Sequence, residues 1–170
     1  PSWPCHGHAE REAAGRVADS GRWQSGPEVE AFERQFAEYC QARHAICAMN
    51  GTVTMEIGLR ALGVEPGDEV IIPAHTFIAT ALAVLMVGAV PVFADSEPGN
   101  YNIDPRAVES AVTARTRAVI PVHVSGMPCD LDALLDVTRR HGLRVLEDAA
   151  HAHGSEWRGR RIGAYGDLAS

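Results

Sequence analysis

Apolar residues recur along this chain with two alternating spacings. Val29, Phe32 and Phe36 stand at i, i+3 and i+7 behind Pro27, so a helix is predicted after Gly26 with Pro27 at its first position. Residues 1–26 are rich in Gly, Pro, Trp and Arg and only weakly periodic; they read as an N-terminal arm with one short helix. From His44 the pattern becomes regular. Residues 45–49 are a short apolar run, read as a strand. Asn50 is placed to cap a helix that carries Met55, Leu59 and Leu62 on one face and stops at Gly63. Residues 69–72 predict a strand. Residues 76–87 are apolar nearly all round and predict a buried helix, ended by Gly88; residues 90–94 predict the next strand. Asp104 and Pro105 read as cap and first position of a helix to about Val112, and residues 117–123 as a strand. Asp130 caps a helix with Leu131, Leu134 and Leu135 inward. Arg139, Arg140 and His141 suit its negative C-terminal end, and Gly142 stops it before a strand at 143–146.

Strands alternating with helices mean a mostly parallel sheet covered by helices, an α/β fold. The strands are Val/Ile/Leu runs, as expected of parallel strands buried on both faces. The 170 residues suffice for a sizeable core, and 22% charged with 46% hydrophobic residues is ordinary for a globular chain. A net charge of −7 argues against nucleic acid as a partner. All 15 basic residues are Arg, and there is no Lys. Cys5, Cys40, Cys47 and Cys129 form no metal-binding spacing, and scattered thiols fit a reducing cytoplasm. Residues 1–8 lack the pattern of a secretory signal, and the longest apolar stretch, 78–87, is about half a membrane span. No membrane partner is expected.

Ligands of open parallel sheets sit beyond the carboxyl ends of the strands. Those ends carry Asn50-Gly51-Thr52, Pro73 to Phe77, Asp95, His123, and Glu147 to His151. Asn50-Gly51-Thr52 opens a helix, whose unpaired amides suit a phosphate; a plain helix cap is the competing reading. Asp148 lies among apolar residues and needs a cationic partner or several donors, such as a protonated pyridine nitrogen, a helix end or an Arg. Phe77 is placed to pack on a flat cofactor, or else to fill the core. Asp148, His151 and His153 have a spacing a divalent cation tolerates, but they match no short metal motif. No GxGxxG follows a strand, which disfavours a nicotinamide-dependent enzyme.

Four stretches carry a resemblance. They are SGRWQSGPEVEAFERQFAEYC, NGTVTMEIGLRALGVEPGDEVIIPAHTFIAT, GAVPVFADSEPGNYNIDP and VIPVHVSGMPCDLDALLDVTRRHGLRVLEDAAHAHGSEWRGRRIG. In order and spacing they resemble the DegT/DnrJ/EryC1/StrS aminotransferases, which use pyridoxal 5'-phosphate (PLP) and have the aspartate-aminotransferase fold (PLP fold type I). PSWP with SGRWQSG, and EDAAHAHG, are most similar to the branch of aminocyclitol aminotransferases and 3-amino-5-hydroxybenzoate synthases. The resemblance implies that residues 27–170 are the N-terminal part of a PLP-binding large domain, with the rest of that domain and a small C-terminal domain absent. It implies that Gly51 and Thr52 hold the phosphate, Phe77 stacks on the pyridine ring, Asp148 pairs with the ring nitrogen and His151 lies beside the cofactor. No metal is implied.

In this family a Lys forms the Schiff base with PLP. Its motif follows the stretch matching GAYGDLAS, so the resemblance places that Lys beyond Ser170 and no catalytic residue within the chain. The 170 residues alone are not expected to transaminate. The parent protein is expected to move an amino group from glutamate or glutamine to a keto-sugar or keto-cyclitol, as a cytoplasmic homodimer. Three rivals stay open: a pyridoxamine-phosphate-dependent sugar dehydratase of the same family, with His at the Lys position; a non-catalytic module; and a metal-dependent hydrolase built on Asp148, His151 and His153.

Overall fold

A computed structural model describes residues 6–170; Cys5 and the start of the expected arm lie outside the described residues. The chain divides into two units. The first comprises residues up to Tyr39 with Arg43–Cys47. It contains α1 (His8–Ser20) and α2 (Pro27–Tyr39). The weakly periodic arm thus holds a full helix of 13 residues, sustained by Ala, Glu and Arg, which all favour helix. Pro27 starts α2 as expected, and Phe32 stacks on Phe36 at 5.3 Å between ring centroids.

The second unit, Cys40–Ala42 with Ala48–Ser170, holds the sheet. Its elements run α3 (Gly51–Ala61), β1 (Glu69–Pro73), α4 (Ile78–Met86), β2 (Val90–Ala94), α5 (Pro105–Ala111), β3 (Thr116–Val119), α6 (Leu131–His141), β4 (Arg144–Glu147), β5 (Glu156–Trp157), β6 (Arg160–Arg161) and β7 (Leu168–Ala169). Five strands form one parallel sheet in the order β2-β1-β3-β4-β7, and β5 and β6 form a small antiparallel hairpin. The sequence signals for the helix ends hold. Asn50, Asp104 and Asp130 each accept a backbone N–H at a helix start, and Gly142 closes α6 with a φ of 66°, a conformation that costs a residue with a Cβ.

Strand alternation divides the core between two faces. Val70, Ile72, Ala118, Ile120 and Leu146 pack with α3 and α4. Ile71, Val119 and Ala94 pack with α5 and α6 through Val108, Leu134 and Val137. The β1-to-β2 connection covers one face, and the connections through α5 and α6 cover the other. The winding therefore reverses between β1 and β3, and a crevice opens at their carboxyl ends.

Four expectations are corrected. Residues 45–49 form no strand, having no ladder partner among the described residues, and Ile46 and Met49 are 83% exposed. α4 is not buried all round: Ile78, Leu82, Leu85 and Met86 make an exposed apolar stripe, because only the opposite face meets the sheet. β2 is an edge strand with Val90 and Phe93 exposed, not a strand buried on both faces. The expected strand at 117–123 pairs regularly only to Val119, since Pro121 has no N–H to continue the ladder. Among the described residues no helix is long and apolar enough to cross a membrane.

Gly166 stands where a Cβ would come within 2.9 Å of the Val145 carbonyl oxygen and 3.2 Å of that of Leu168. Both carbonyls belong to the paired backbone around β4 and β7. Gly166→Ala should therefore cost about 1–3 kcal/mol, read as a lower urea midpoint; an unchanged midpoint contradicts the close packing of this loop.

Candidate active site

The crevice is bounded by the start of α3, the turn between β1 and α4, and the segment after β4. At the start of α3, the Asn50 side chain accepts from the Val53 amide at 3.0 Å, and the Asn50 carbonyl takes the Thr54 amide. The amides of Gly51 and Thr52, the first two of the helix, then point out of its positive end. A Cβ at Gly51 would meet nothing closer than the Ser170 hydroxyl at 3.9 Å, so the approach to these amides is open. The Ser170 hydroxyl lies 2.5 Å from that of Thr54 and 3.2 Å from the Gly51 carbonyl oxygen. Two amides and the helix dipole meet at this helix end, a donor set that suits a phosphate monoester. The Ser170 hydroxyl stands beside them and becomes a further donor when Thr54, which otherwise bonds the Gly51 carbonyl at 2.8 Å, donates to it.

Asp148 continues β4 through a bridge to Val122 and is 8% exposed. Its Oδ2 accepts from the Thr80 hydroxyl at 3.0 Å, and Thr76 lies 2.8 Å from Thr80, so α4 braces the carboxylate. Its Oδ1 receives only a long contact of 3.4 Å from the Ala150 amide. A nearly buried carboxylate with spare acceptor capacity fits a charged N–H group of a ligand. Phe77 precedes α4 and is 76% exposed; it is not core, and its ring is free to meet a flat partner. His151 is exposed in the turn after Asp148, which the Ser155 hydroxyl ties to the Gly126 carbonyl at 2.7 Å. The residues present thus fit PLP: an anion cradle, an aromatic ring and a carboxylate for a pyridinium nitrogen.

His123 and Glu147 stand behind the site, both fully buried. His123 Nδ1 accepts from the Cys129 amide at 3.1 Å, so the proton sits on Nε2 and faces Glu147 Oε2 at 3.3 Å. The ring is neutral and does not face the crevice, unlike the sequence-level grouping of His123 with the other residues at the sheet edge. Burial pushes the Glu147 carboxyl up, but hydrogen bonds from His123 and from the Gly166 and Gly163 amides outweigh it and hold the group below the ordinary glutamate range. Burial raises the Cys129 thiol to about 12, which removes it as a nucleophile. Among the described residues no group of three or more His, Cys, Asp or Glu side chains is arranged to hold a metal ion.

Sequence reasoning singled out Gly51, Thr52, Phe77, Asp148 and His151: Gly51 and Thr52 start α3, Phe77 precedes α4, and Asp148 and His151 follow β4. It missed Thr54, Thr80 and Ser170. Thr80 had a signal: it is the second of only two polar residues in the apolar stretch 76–87 and falls on the buried face of α4. Ser170 had none, since it reaches Thr54 across 116 positions of sequence.

Because the folded-state pKa of Glu147 is depressed, its contribution to stability is present above the unfolded value of about 4.3 and lost as pH falls through the folded value. The stability gap between the wild type and Glu147→Gln should be flat from about pH 8 to 5.5 and narrow below about pH 4. A gap that persists unchanged to about pH 3 contradicts an ionised Glu147.

Residues 4–170 match the model of the DegT/DnrJ/EryC1/StrS aminotransferase family. The chain is 51% identical over 163 residues to a dTDP-3-amino-3,4,6-trideoxy-alpha-D-glucose transaminase of Streptomyces venezuelae, covering 95% of this chain and 43% of that protein. It is 45% identical to an L-glutamine:scyllo-inosose aminotransferase of Streptomyces griseus, over 98% of this chain and 41% of the relative. A solved structure described as a sugar aminotransferase of Streptococcus pneumoniae, in its PMP form, superposes with a TM-score of 0.94 at 31% identity, over 98% of this chain and 46% of that one; its PLP form matches at 0.89. The chain therefore spans less than half the length of each. The family depends on PLP, and this chain belongs to it: the DegT/DnrJ/EryC1/StrS aminotransferases.

Proposed function

We propose that these residues form the cofactor-binding part of a PLP-dependent aminotransferase that converts a keto-sugar or keto-cyclitol to its amine, with glutamate or glutamine as donor. The observation that carries this reading is the pairing of an anion cradle at the start of α3 with the nearly buried Asp148 on the same crevice. The names of the sugar and cyclitol relatives support the substrate class, and one of them supports glutamine as donor.

The amides of Gly51 and Thr52 and the hydroxyl of Ser170 hold the phosphate, aided by the helix dipole. Phe77 packs on the ring face. Bound PLP supplies the electron sink that lets an amino group pass between an amino acid and a ketone. Asp148 keeps a proton on the pyridine nitrogen, and Thr80 holds the Asp148 carboxylate in place. His151 is exposed in the turn after Asp148 and would lie beside the cofactor. None of the 170 residues is Lys, so these residues supply binding and electrostatics and not the amine that relays protons. The working unit is a homodimer, supported by the exposed apolar stripe on α4, and the unpaired thiols Cys40, Cys47 and Cys129 support a reducing compartment.

The complete protein should show a visible absorption band that bleaches on addition of glutamate or glutamine; a protein that binds no PLP contradicts the reading. Asp148→Asn should retain the cofactor and lose about a hundredfold in the rate of amino transfer, the usual cost of removing one preorganised electrostatic partner. A rate within twofold of wild type removes Asp148 from this role.

A further inference from the structure

Asp148 serves the cofactor in the proposed function, whereas its neighbour Glu147 reaches no ligand. A fully buried carboxylate is expensive, and this one is surrounded by donors. Oε1 accepts from the amides of Tyr165 at 2.8 Å and Gly166 at 2.7 Å. Oε2 accepts from the Gly163 amide at 3.1 Å and faces the His123 Nε2 proton at 3.3 Å. Three amides from one loop therefore converge on a single side chain from another strand. That loop leads through Asp167 into β7 and on to Ser170. Asp167 is itself pinned, its amide on the Val145 carbonyl and its carboxylate on the Val145 amide and Arg144. Ser170 is clamped to the same strand end: its amide donates to the Glu147 carbonyl, and its carbonyl accepts from Ala149. Its hydroxyl then arrives at Thr54 and Gly51.

We propose that Glu147 is a positioning residue for the phosphate cradle: its carboxylate gathers the loop at 163–166 and so places the Ser170 hydroxyl at the start of α3. The inference rests on the PLP reading of that cradle. Glu147 touches no ligand and acts only through the loop and Ser170. Glutamine cannot replace it. If the amide oxygen keeps Tyr165 and Gly166, the amide NH2 faces two further donors, the Gly163 N–H and the His123 Nε2–H. His123 cannot yield by moving its proton to Nδ1, because that nitrogen already accepts from Cys129.

The test is a double-mutant cycle in the complete protein, read as dissociation constants for two probes, pyridoxal 5'-phosphate and phosphate-free pyridoxal. Ser170→Ala and Glu147→Gln should each weaken the phosphate-bearing probe by about three- to tenfold and leave pyridoxal unchanged. In the Ser170→Ala background, Glu147→Gln should have no further effect. Equal losses for both probes, or a Glu147→Gln loss that persists in the Ser170→Ala background, overturn the proposal while leaving the PLP reading intact. A wild-type protein that binds pyridoxal 5'-phosphate no better than pyridoxal overturns the cradle itself. Glu147→Asp keeps the charge but is one methylene shorter, so it should show a smaller loss confined to the same probe. The cycle is run with Glu147→Asp if circular dichroism shows that Glu147→Gln does not fold.

Discussion

Two carboxylates in succession end β4, and the alternation of a strand sends them to opposite faces of the sheet. Leu146 lies in the α3–α4 core; Asp148 turns to the same side and is braced by Thr80 of α4. Glu147 turns to the other side, where three loop amides and His123 receive it. Burying adjacent acids is tolerable only because each has its own donors. One set is complete and makes the rigid end of the sheet. The other is incomplete and leaves an acceptor facing the crevice. The position of Ser170 is fixed by this strand end, through the Glu147 carbonyl and the Ala149 amide.

Much of the second unit was legible in the sequence because its helix boundaries carry strong local chemistry. Asn50, Asp104 with Pro105, Asp130 and Gly142 all act where the pattern placed them. Elements whose existence depends on distant partners were not legible. Residues 45–49 have strand composition but no ladder among the described residues. β5, β6 and β7 are two residues each, too short for any periodicity to register. The stripe on α4 shows the limit from the other side: an all-apolar helix does not reveal which of its faces has a neighbour.

The candidate site was legible to the same degree. Asp148 stands just past a strand end, where the rule for parallel sheets points, whereas Gly51 is marked by the helix start that Asn50 caps, the strand expected before it being absent. Phe77 was ambiguous between core and ligand, and its exposure resolves the ambiguity against core. His123 looked like a member of the site from its place at a strand end, but its ring turns back to Glu147. The hydroxyls of Thr54 and Ser170 meet only through the fold, and no spacing in the chain announces that contact.

The most direct measurement is a crystal structure of the complete protein with PLP bound. The phosphate should lie within hydrogen-bonding distance of the Gly51 and Thr52 amides and the Ser170 hydroxyl, and the pyridine nitrogen should face the free oxygen of Asp148. A cofactor bound with its phosphate away from the start of α3, or with its ring nitrogen away from Asp148, would contradict the account.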